Sequence, residues 1–363
     1  MTAHHQSAAP AAPSVTVIII FLNAARFITE AIDSVFGQTF ADWELILVDD
    51  GSTDASRDLA REAARNRPGQ IRYFEHADHR NLGMSASRNV GIREARGRYL
   101  AFLDSDDVYL PERLARHVEV LDAMPQVAMV QSDHIQWYSW AGEAEQADDD
   151  FVRPAVCLGD RILRAPQALL TVLSVPWLGA GPASLTVRRD VALAVGGFEA
   201  SFRNMYEDQV FTTKIYLEHS VYVMQSWLMK YRRHPGSWTR HLKETGEFVD
   251  GLAHPTTDAF HAWLRAYARI RGIRHPLLDE IIENLGVQRR SSVIGRLRAQ
   301  MAPLVGRIKV AVERSLPQRL HRMLLRWDRR RRHARLRKLY SKLCDRVLTI
   351  ELRRVGLDRV ADS

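Results

Sequence analysis

Three aspartates stand within four positions at the end of an apolar segment. Asp104, Asp106 and Asp107 directly follow the run "YLAFL", within the stretch "LAFLDSDDVYLPERL" of residues 100–114. Two carboxylates at i and i+2 after an extended segment can converge on one hard cation. Mg²⁺ and Mn²⁺ prefer oxygen ligands, and Mg²⁺ is commonly held by one or two carboxylates plus substrate phosphates. Acids at a strand end can also be solvated turn formers or helix caps. With a buried strand before them, the spacing favours a cation and diphosphate site at Asp104 and Asp106.

The segments around these acids alternate between strand and helix patterns. Apolar β-branched runs such as "SVTVIII" are followed by stretches with apolar residues at helical spacing, such as "RFITEAIDSVFGQ". Short connections between them predict an α/β fold with a mostly parallel sheet covered by helices on both faces. In such sheets ligands bind at the carboxyl ends of the strands. The pair Asp49–Asp50 ends the second predicted strand, so both aspartate clusters are expected at that edge.

Four further segments have patterns that predict local structure. Gly51–Asp54 are residue types that cap helices, so the helix after the second strand is expected to open there. "NMYEDQVFTTKIYLEHS" predicts an amphipathic helix opening with Glu207 and Asp208, and "GPASLTVRRDVALAVGGF" predicts a strand, a short helix and a turn. The uncharged stretch Ala165–Val187 is about long enough to span a bilayer, but its prolines and glycines break a helix. We therefore expect no transmembrane helix.

Charge is divided unevenly along the 363 residues. The chain carries a formal net charge of +8, yet the segment from Val287 onward holds 22 Lys and Arg against 6 Asp and Glu, which leaves the first 286 residues at −8. Such a division points to two different partners.

Cys157 and Cys344 are far apart and fit no metal or redox spacing, which suggests a reducing compartment. Residues 1–13 lack the pattern of a secretory signal and are expected to be a disordered lead-in.

Several motifs in order resemble those of the family 2 glycosyltransferases with the GT-A fold. They are "VTVIIIFLNAARFITEAIDSVFGQTFADWELILVDDGSTD", "NLGMSASRNVGIREARGRYLAFLDSDD", "VGGFEASFRNMYEDQVFTTKIYL" and "YRRHPGSW". The resemblance covers about residues 14–240. It implies a GT-A catalytic domain at 14–245, with a nucleotide-binding half at 14–110 and an acceptor half at 111–245. A basic helical extension would then occupy 246–363.

The resemblance implies transfer of one sugar, with inversion, from a nucleotide diphosphate sugar to an acceptor hydroxyl. A divalent cation, Mn²⁺ or Mg²⁺, held by Asp106 with Asp104 alongside would stabilise the departing diphosphate. Asp208 of the "ED" motif would be the general base, with Glu207 in a supporting role. Their position near a helix N-terminus also allows a merely dipole-stabilising acid pair. The motif "QxxRW" of processive synthases does not occur in the sequence.

The resemblance also assigns a nucleotide side. Its residues would be Phe21 and Asn23 by their backbone, Asp50, Gly51, Arg88, Asp104 and Ser105. Asp50 would accept a hydrogen bond from uracil N3–H, or alternatively cap the helix after Gly51. Arg88 would approach the phosphates, or form a salt bridge to the acidic cluster. His234 would contact the diphosphate or the metal, or be a packed loop histidine. Where relatives often carry "YN", this chain has "LN".

The partners follow from these assignments. The expected donor is a UDP-sugar, with a dTDP- or GDP-sugar as the alternative. The expected acceptor is a glycan, a lipid-linked precursor or another cell-surface glycoconjugate precursor. An inactive relative that acts as a scaffold is the rival from another class. A dinucleotide-binding dehydrogenase is disfavoured, because the first strand is not followed by G-x-G-x-x-G.

The basic tail carries an apolar helical seam from Leu336 to Ile350. It suggests adsorption to an anionic membrane surface, or else a solvated helix that packs on the catalytic domain or on a second subunit as a homodimer interface. Specific nucleic-acid binding is not expected, since no recognised fold or aromatic interleaving supports it. We expect a protein that is cytoplasmic or peripheral on the inner face of the cell membrane.

Overall fold

In the part of the chain that the structure describes, a ten-stranded mixed sheet forms the centre of the fold. The computed structural model describes residues 12–141, 150–153, 155, 160–174, 181–203, 205–238, 240, 245, 255–276 and 278–279. The strands are β1 (Val15–Phe21), β2 (Trp43–Asp49), β3 (Ile71–Glu75), β4 (Tyr99–Asp104), β5 (Val108–Tyr109), β6 (Val127–Trp137), β7 (Phe151–Arg153), β8 (Arg161–Leu163), β9 (Leu185–Arg188) and β10 (Ser220–Arg232). The helices are α1 (Ile28–Phe36), α2 (Ser56–Asn66), α3 (Met84–Glu94), α4 (Arg113–Ala123), α5 (Gln167–Ser174), α6 (Arg189–Ala194), α7 (Glu207–Glu218) and α8 (Pro255–Ile270).

The sheet order places the predicted parallel unit at one side. Neighbouring strands run β3-β2-β1-β4-β9-β6-β10-β5, with β7 added on β6 and β8 on β10. The pairs among β1, β2, β3 and β4 are parallel, as is the pair β6–β10, whereas β9 runs antiparallel to both β4 and β6. The α/β prediction with a mostly parallel, two-sided sheet is confirmed.

Strand β1 shows why both faces are covered. All seven of its residues are buried, and successive side chains point to opposite faces. Ile18 and Ile20 pack into the core under α3, α6 and α7, while Val17 and Ile19 pack into the core under α1, α2 and α4. A strand that is apolar on both faces requires a helical layer on each side.

The carboxyl ends of β1, β2 and β4 meet at one edge. Phe21 pairs with Asp49 on one neighbouring strand, and Ile20 pairs with Asp104 on the other. Since neighbouring strands lie about 4.8 Å apart, the two aspartate clusters are separated by roughly two strand spacings, or about 10 Å. The predicted convergence of the two clusters on one edge is therefore observed.

Two helices differ from the sequence expectation. Helix α2 begins at Ser56 rather than at Gly51, because residues 51–55 form a loop. In this loop the Asp49 carboxylate accepts the Ser52 N–H at 2.8 Å, and the Asp54 carboxylate accepts the Ser56 N–H at 2.9 Å. Helix α7 is not amphipathic. Its buried residues extend around the helix and include Thr212, Thr213 and Lys214, since α7 lies between the sheet and α8.

The stretch Ala165–Val187 contains α5 and, from Leu185, the first residues of β9, as separate short elements. Within the part of the chain that the structure describes, none of the helices has the length and apolarity needed to cross a membrane. The basic tail from Val287 lies outside the described residues. The domain division at residue 245 stays a prediction.

Candidate active site

The three aspartates at the end of β4 form a tight turn that β10 closes. The Asp107 N–H donates to the Asp104 carbonyl at 3.0 Å, and the Asp107 carboxylate accepts the Arg232 N–H at 2.8 Å. Asp107 is buried, and its other carboxylate oxygen has no partner among the described residues. Burial and the neighbouring Asp106 and Asp104 raise the pKa of Asp107 well above its usual range. Asp107 therefore anchors the turn, while Asp104 and Asp106 are each about a third exposed at its rim.

His234 lies directly against Asp106. Its Nε2 is 3.0 Å from Asp106 Oδ2, and its side chain is 10% exposed. The imidazole packs between Phe27, at a ring-centroid distance of 4.7 Å, and Trp140, at 6.3 Å. The structure therefore shows the packed loop histidine, with its ring nitrogen directed at Asp106; contact with the diphosphate or the metal stays a prediction.

Arg232 connects several residues around Asp106, a role that is not predicted from the sequence. Its Nε donates to the Asp106 carbonyl at 2.7 Å, and its Nη2 donates to Glu30 Oε2 at 2.6 Å. The guanidinium also lies over the rings of Trp137 and Phe27, at 4.4 and 4.7 Å. Only its place in the quoted motif "YRRHPGSW" could have signalled it, since Glu30 is 202 residues away.

Arg88 links the acids of β4 to those of α7. Its Nη2 donates to Asp104 Oδ1 at 3.0 Å and its Nη1 to Glu207 Oε1 at 3.5 Å, while the residue is 3% exposed. The guanidinium also lies 5.2 Å from the Phe198 ring centroid. The structure therefore contains the salt bridge that the sequence left open as the alternative to phosphate contact.

The acid pair stands at the first turn of α7. Glu207 is 8% exposed, and Asp208 is half-buried with its Oδ1 accepting the Gln209 N–H at 2.7 Å. Burial and the neighbouring Asp208 raise the pKa of Glu207 to about 7. Burial raises the pKa of Asp208 as well, partly offset by the hydrogen bond from Gln209 and by Arg88. Carboxyl groups with raised pKa values are suited to proton transfer near neutral pH.

Asp50 pins the loop before α3. Its Oδ1 accepts the Leu82 N–H at 2.8 Å and the Gly83 N–H at 3.0 Å, and His76 Nε2 lies 3.4 Å away. The residue is only 5% exposed. It does not cap α2, so the capping alternative of the sequence analysis is wrong. Asp50 joins two loops, since its own N–H donates to the Phe21 carbonyl while its carboxylate bonds the loop before α3. Each loop has an exposed apolar side chain: Leu22, next to Phe21, is 42% exposed, and Leu82 is 40% exposed.

The remaining nucleotide-side residues shape these loops. Asn23 has a φ of 52°, and its Oδ1 accepts the Thr53 N–H at 2.7 Å, which fastens the loop after β1 to the loop after β2. The Phe21 side chain is buried, so only its backbone reaches the edge. Gly51 has a φ of 89°, and a Cβ there would lie 2.9 Å from the backbone nitrogen of Asn81. Ser105 is half-buried in the turn between Asp104 and Asp106.

Two places in the site have the chemistry to hold a divalent cation. Asp106 Oδ2 and His234 Nε2 are 3.0 Å apart, which is close to the separation of adjacent ligands around an octahedral ion of about 2.1 Å bond length. Among the described residues, a group of three potential ligands within 4.8 Å of one another occurs at Asp49, Glu75 and His79.

The second place already has full ionic partners. Arg57 and Arg61 contact Glu75 at 2.9 and 3.1 Å, and Tyr73 donates to the same carboxylate at 2.6 Å. Two arginines compete with a cation for that carboxylate, whereas no arginine side chain is bonded to the Asp106 carboxylate among the described contacts. The residues at Asp106 and His234 therefore fit a hard cation better.

Sequence comparisons identify related proteins over this part of the chain. Residues 16–156 match the family described as Glycosyl transferase family 2. An uncharacterised glycosyltransferase of Nostoc is 40% identical over 116 residues, 32% of this chain and 35% of that protein. A putative teichuronic acid biosynthesis glycosyltransferase, TuaG of Bacillus subtilis, is 36% identical over 110 residues, 30% of this chain and 42% of that protein. The match thus spans less than half the length of these relatives.

Solved structures share the fold. Staphylococcus aureus TarS 1-349, in complex with UDP-GlcNAc, superposes with a TM-score of 0.57 at 17% identity, over 85% of this chain and 89% of that chain. TarS 1-349 without that ligand gives a TM-score of 0.52 at 19% identity, over 79% and 87%. The family match and the shared mixed sheet agree with the motifs read from the sequence. Residues 16–156 are therefore similar to the family 2 glycosyltransferases, and the described chain shares the GT-A fold of these solved structures.

Proposed function

We propose that this edge transfers one sugar, with inversion, from a UDP-sugar to an acceptor hydroxyl, with Asp208 as the general base. The observation that carries the proposal is the Arg88 bridge. It joins Asp104, beside the candidate cation site, to Glu207, beside the candidate base. Diphosphate departure and hydroxyl deprotonation must occur on either side of one anomeric carbon, and a single buried side chain holds both acidic groups in one site.

The cation is assigned to Asp106, with Asp104 and His234 alongside. A bound Mn²⁺ or Mg²⁺ would supply charge stabilisation for the diphosphate leaving group. The chain itself contributes the turn that presents these side chains: Arg232 holds the Asp106 backbone and Asp107 anchors Arg232. Preorganised groups of this kind need not rearrange as charge develops.

The donor base is assigned to the edge beside Asp50. The exposed Leu22 and Leu82 flank loops that converge on this carboxylate, and an apolar surface beside a hydrogen-bond acceptor suits a planar base. The TarS complex with UDP-GlcNAc supports a UDP-sugar on a similar fold. Because Asp50 is nearly buried and already accepts two N–H groups, we assign it to positioning the loop as well as to the base.

The acceptor is proposed to be a precursor of a cell-surface glycan. TuaG, whose name refers to teichuronic acid biosynthesis, supports this class. The sugar and the linkage depend on the acceptor half of the domain.

Calorimetry with UDP, with and without Mn²⁺, tests the proposal. We expect wild-type protein to bind UDP in a Mn²⁺-dependent manner, and Asp106→Ala to lose that dependence because a hard cation loses an oxygen ligand. Asp122→Ala is the matched control, since Asp122 contacts Arg98 and Tyr99 at the opposite end of β4. GDP and dTDP, titrated in parallel, test the alternative donors. Either of two results would reject the proposed cation-dependent site and favour an inactive scaffold: UDP binding that does not depend on Mn²⁺, or no binding of any of the three nucleotides.

A further inference from the structure

Helix α8 packs along α7 although it lies beyond the segment that matches the family. At the carboxyl end of α7, Tyr267 donates to Glu218 Oε1 at 2.7 Å and Arg271 Nε donates to the same oxygen at 3.0 Å. Leu264 of α8 is fully buried in the core that also contains Phe211 and Ile215 of α7. The two helices therefore form one packed unit.

At the other end of α7, α8 holds a single tyrosine. Tyr206 immediately precedes the acid pair, and its hydroxyl is 2.7 Å from Thr257 Oγ1. Its ring stacks on Phe260 with a centroid distance of 5.1 Å and an interplanar angle of 14°. Phe260 is 4% exposed and stacks in turn on Trp263 at 6.1 Å. The Tyr206 side chain is thus fixed by both a polar and an aromatic contact.

The backbone of Tyr206 is in the left-handed region. Its φ is 64° and its ψ is 1°, and its carbonyl accepts the first intrahelical bond of α7 from Val210 N–H at 2.8 Å. This conformation is unfavourable for a bulky residue with a Cβ, and glycine would adopt it readily. Such outliers persist where the surroundings determine them, and they cluster at functional sites.

We propose that α8 is a positioning element of the active site: its Thr257 and Phe260 hold Tyr206 in the left-handed conformation, which sets where α7 begins and where the Glu207 and Asp208 carboxylates lie. The inference rests on the proposed function for its catalytic consequence. Tyr206 is a positioning residue, since it acts through the acid pair that follows it. The catalytic unit then includes residues 255–270.

The contact to Tyr206 is tested first by NMR of full-length protein labelled with ¹³C,¹⁵N-tyrosine. Tyrosine occurs ten times in the chain, and Tyr206→Phe assigns the signal of interest by its loss. Cα and Cβ shifts differ between left- and right-handed backbone. We expect Phe260→Ala and Thr257→Val to move the Tyr206 shifts, while Tyr267→Phe, which removes a contact at the far end of α7, leaves them in place. Unchanged shifts in Phe260→Ala would overturn the proposal.

Kinetics test the consequence. With the UDP-sugar turned over by wild type, Phe260→Ala is expected to lower kcat roughly 10- to 100-fold, because small misplacements of reacting groups have effects of that size. UDP affinity should stay within about twofold of wild type, since the donor side is untouched. Tyr206→Gly should retain more kcat than Tyr206→Ala, because only glycine adopts a positive φ easily.

Three results separate the failure of this inference from the failure of the proposed function. If Tyr206 shifts move but kcat is unchanged, α8 does not position the acid pair. If Tyr206→Ala and Tyr206→Gly have equal kcat, the left-handed backbone is irrelevant to turnover. If wild type turns over no nucleotide sugar, the proposed function fails and the catalytic part of the inference fails with it, while the NMR result still decides whether α8 holds Tyr206.

Discussion

Removing Arg88 should destabilise the protein in a pH-dependent manner. Arg88→Met keeps an unbranched apolar stem but leaves Asp104 and Glu207 without their shared cation. Breaking a buried ion pair costs about 3–5 kcal/mol. The Asp104 side chain is 29% exposed and the Glu207 contact is long, at 3.5 Å. We therefore expect a loss near the lower limit, about 3 kcal/mol in the free energy of unfolding at pH 8.

The sign of the pH dependence follows from the same two carboxyl groups. Burial raises the pKa of Asp104, with Arg88 opposing the shift, and raises that of Glu207 to about 7. Acids with raised pKa values contribute stability that is present at low pH and lost as the pH rises through the folded pKa. Without Arg88 both pKa values rise further. The difference between wild type and Arg88→Met should therefore be small at pH 5 and grow towards pH 8.

Urea unfolding followed by tryptophan fluorescence at pH 5 and pH 8 measures this difference. Arg61→Met is the matched control, because Arg61 is 38% exposed and its partner Glu75 keeps Arg57. A surface pair of that kind contributes about 0–1 kcal/mol. A loss in Arg88→Met no larger than in Arg61→Met, or one equal at both pH values, would refute the bridging role of Arg88.

Three further predictions concern other parts of the molecule. Burial raises the pKa of Asp133 to about 7, whereas Asp133→Asn keeps an oxygen for the Ala155 N–H and does not titrate. In urea unfolding, the variant should therefore gain stability relative to wild type as the pH rises from 4 to 8, by up to about 4 kcal/mol. A stability difference that does not change with pH would contradict this. Gly51→Ala should lower the melting temperature more than Gly272→Ala. Both glycines have a positive φ, but of the two only Gly51 has backbone atoms within 3.0 Å of the added Cβ. Equal decreases in melting temperature would contradict the steric explanation. Full-length protein should sediment with anionic vesicles at low salt and be released at 1 M salt, where the Debye length is about 3 Å. Replacing Arg329–Arg332 by Gln should weaken sedimentation. If neither salt nor the substitution changes sedimentation, electrostatic adsorption by the tail is excluded.

The sequence predicts the first half of the fold because its signals are local. Alternating apolar runs from Val15 to Asp104 define four parallel strands, and the register then brings Asp49 and Asp104 to one edge without further information. No element is predicted from the sequence between residues 105 and 150, where α4 and β6 occur. Strand β6 carries buried polar residues, among them Gln131, Asp133 and His134, so its pattern is not that of an apolar strand.

The parts of the site that sequence reasoning missed depend on contacts between distant segments. Arg232 is 125 residues from Asp107, and Tyr206 is 51 residues from Thr257. The same limit explains why α7 was expected to be amphipathic, since α8 covers its outer face. Arg88 had two open roles because one of its partners, Glu207, is 119 residues away along the chain. Local patterns cannot choose between such roles.

The assignment of Asp208 as general base is the central claim, and turnover of a nucleotide sugar by Asp208→Asn tests it most directly. Donor hydrolysis needs no knowledge of the acceptor, and water must lose a proton as the acceptor hydroxyl would. The amide keeps the shape of the side chain but cannot accept a proton. We predict that kcat falls about 10²–10⁴-fold while UDP affinity in Mn²⁺ stays close to wild type. Near wild-type kcat in Asp208→Asn, with a large loss in Glu207→Gln instead, would contradict the assignment and move the base to Glu207.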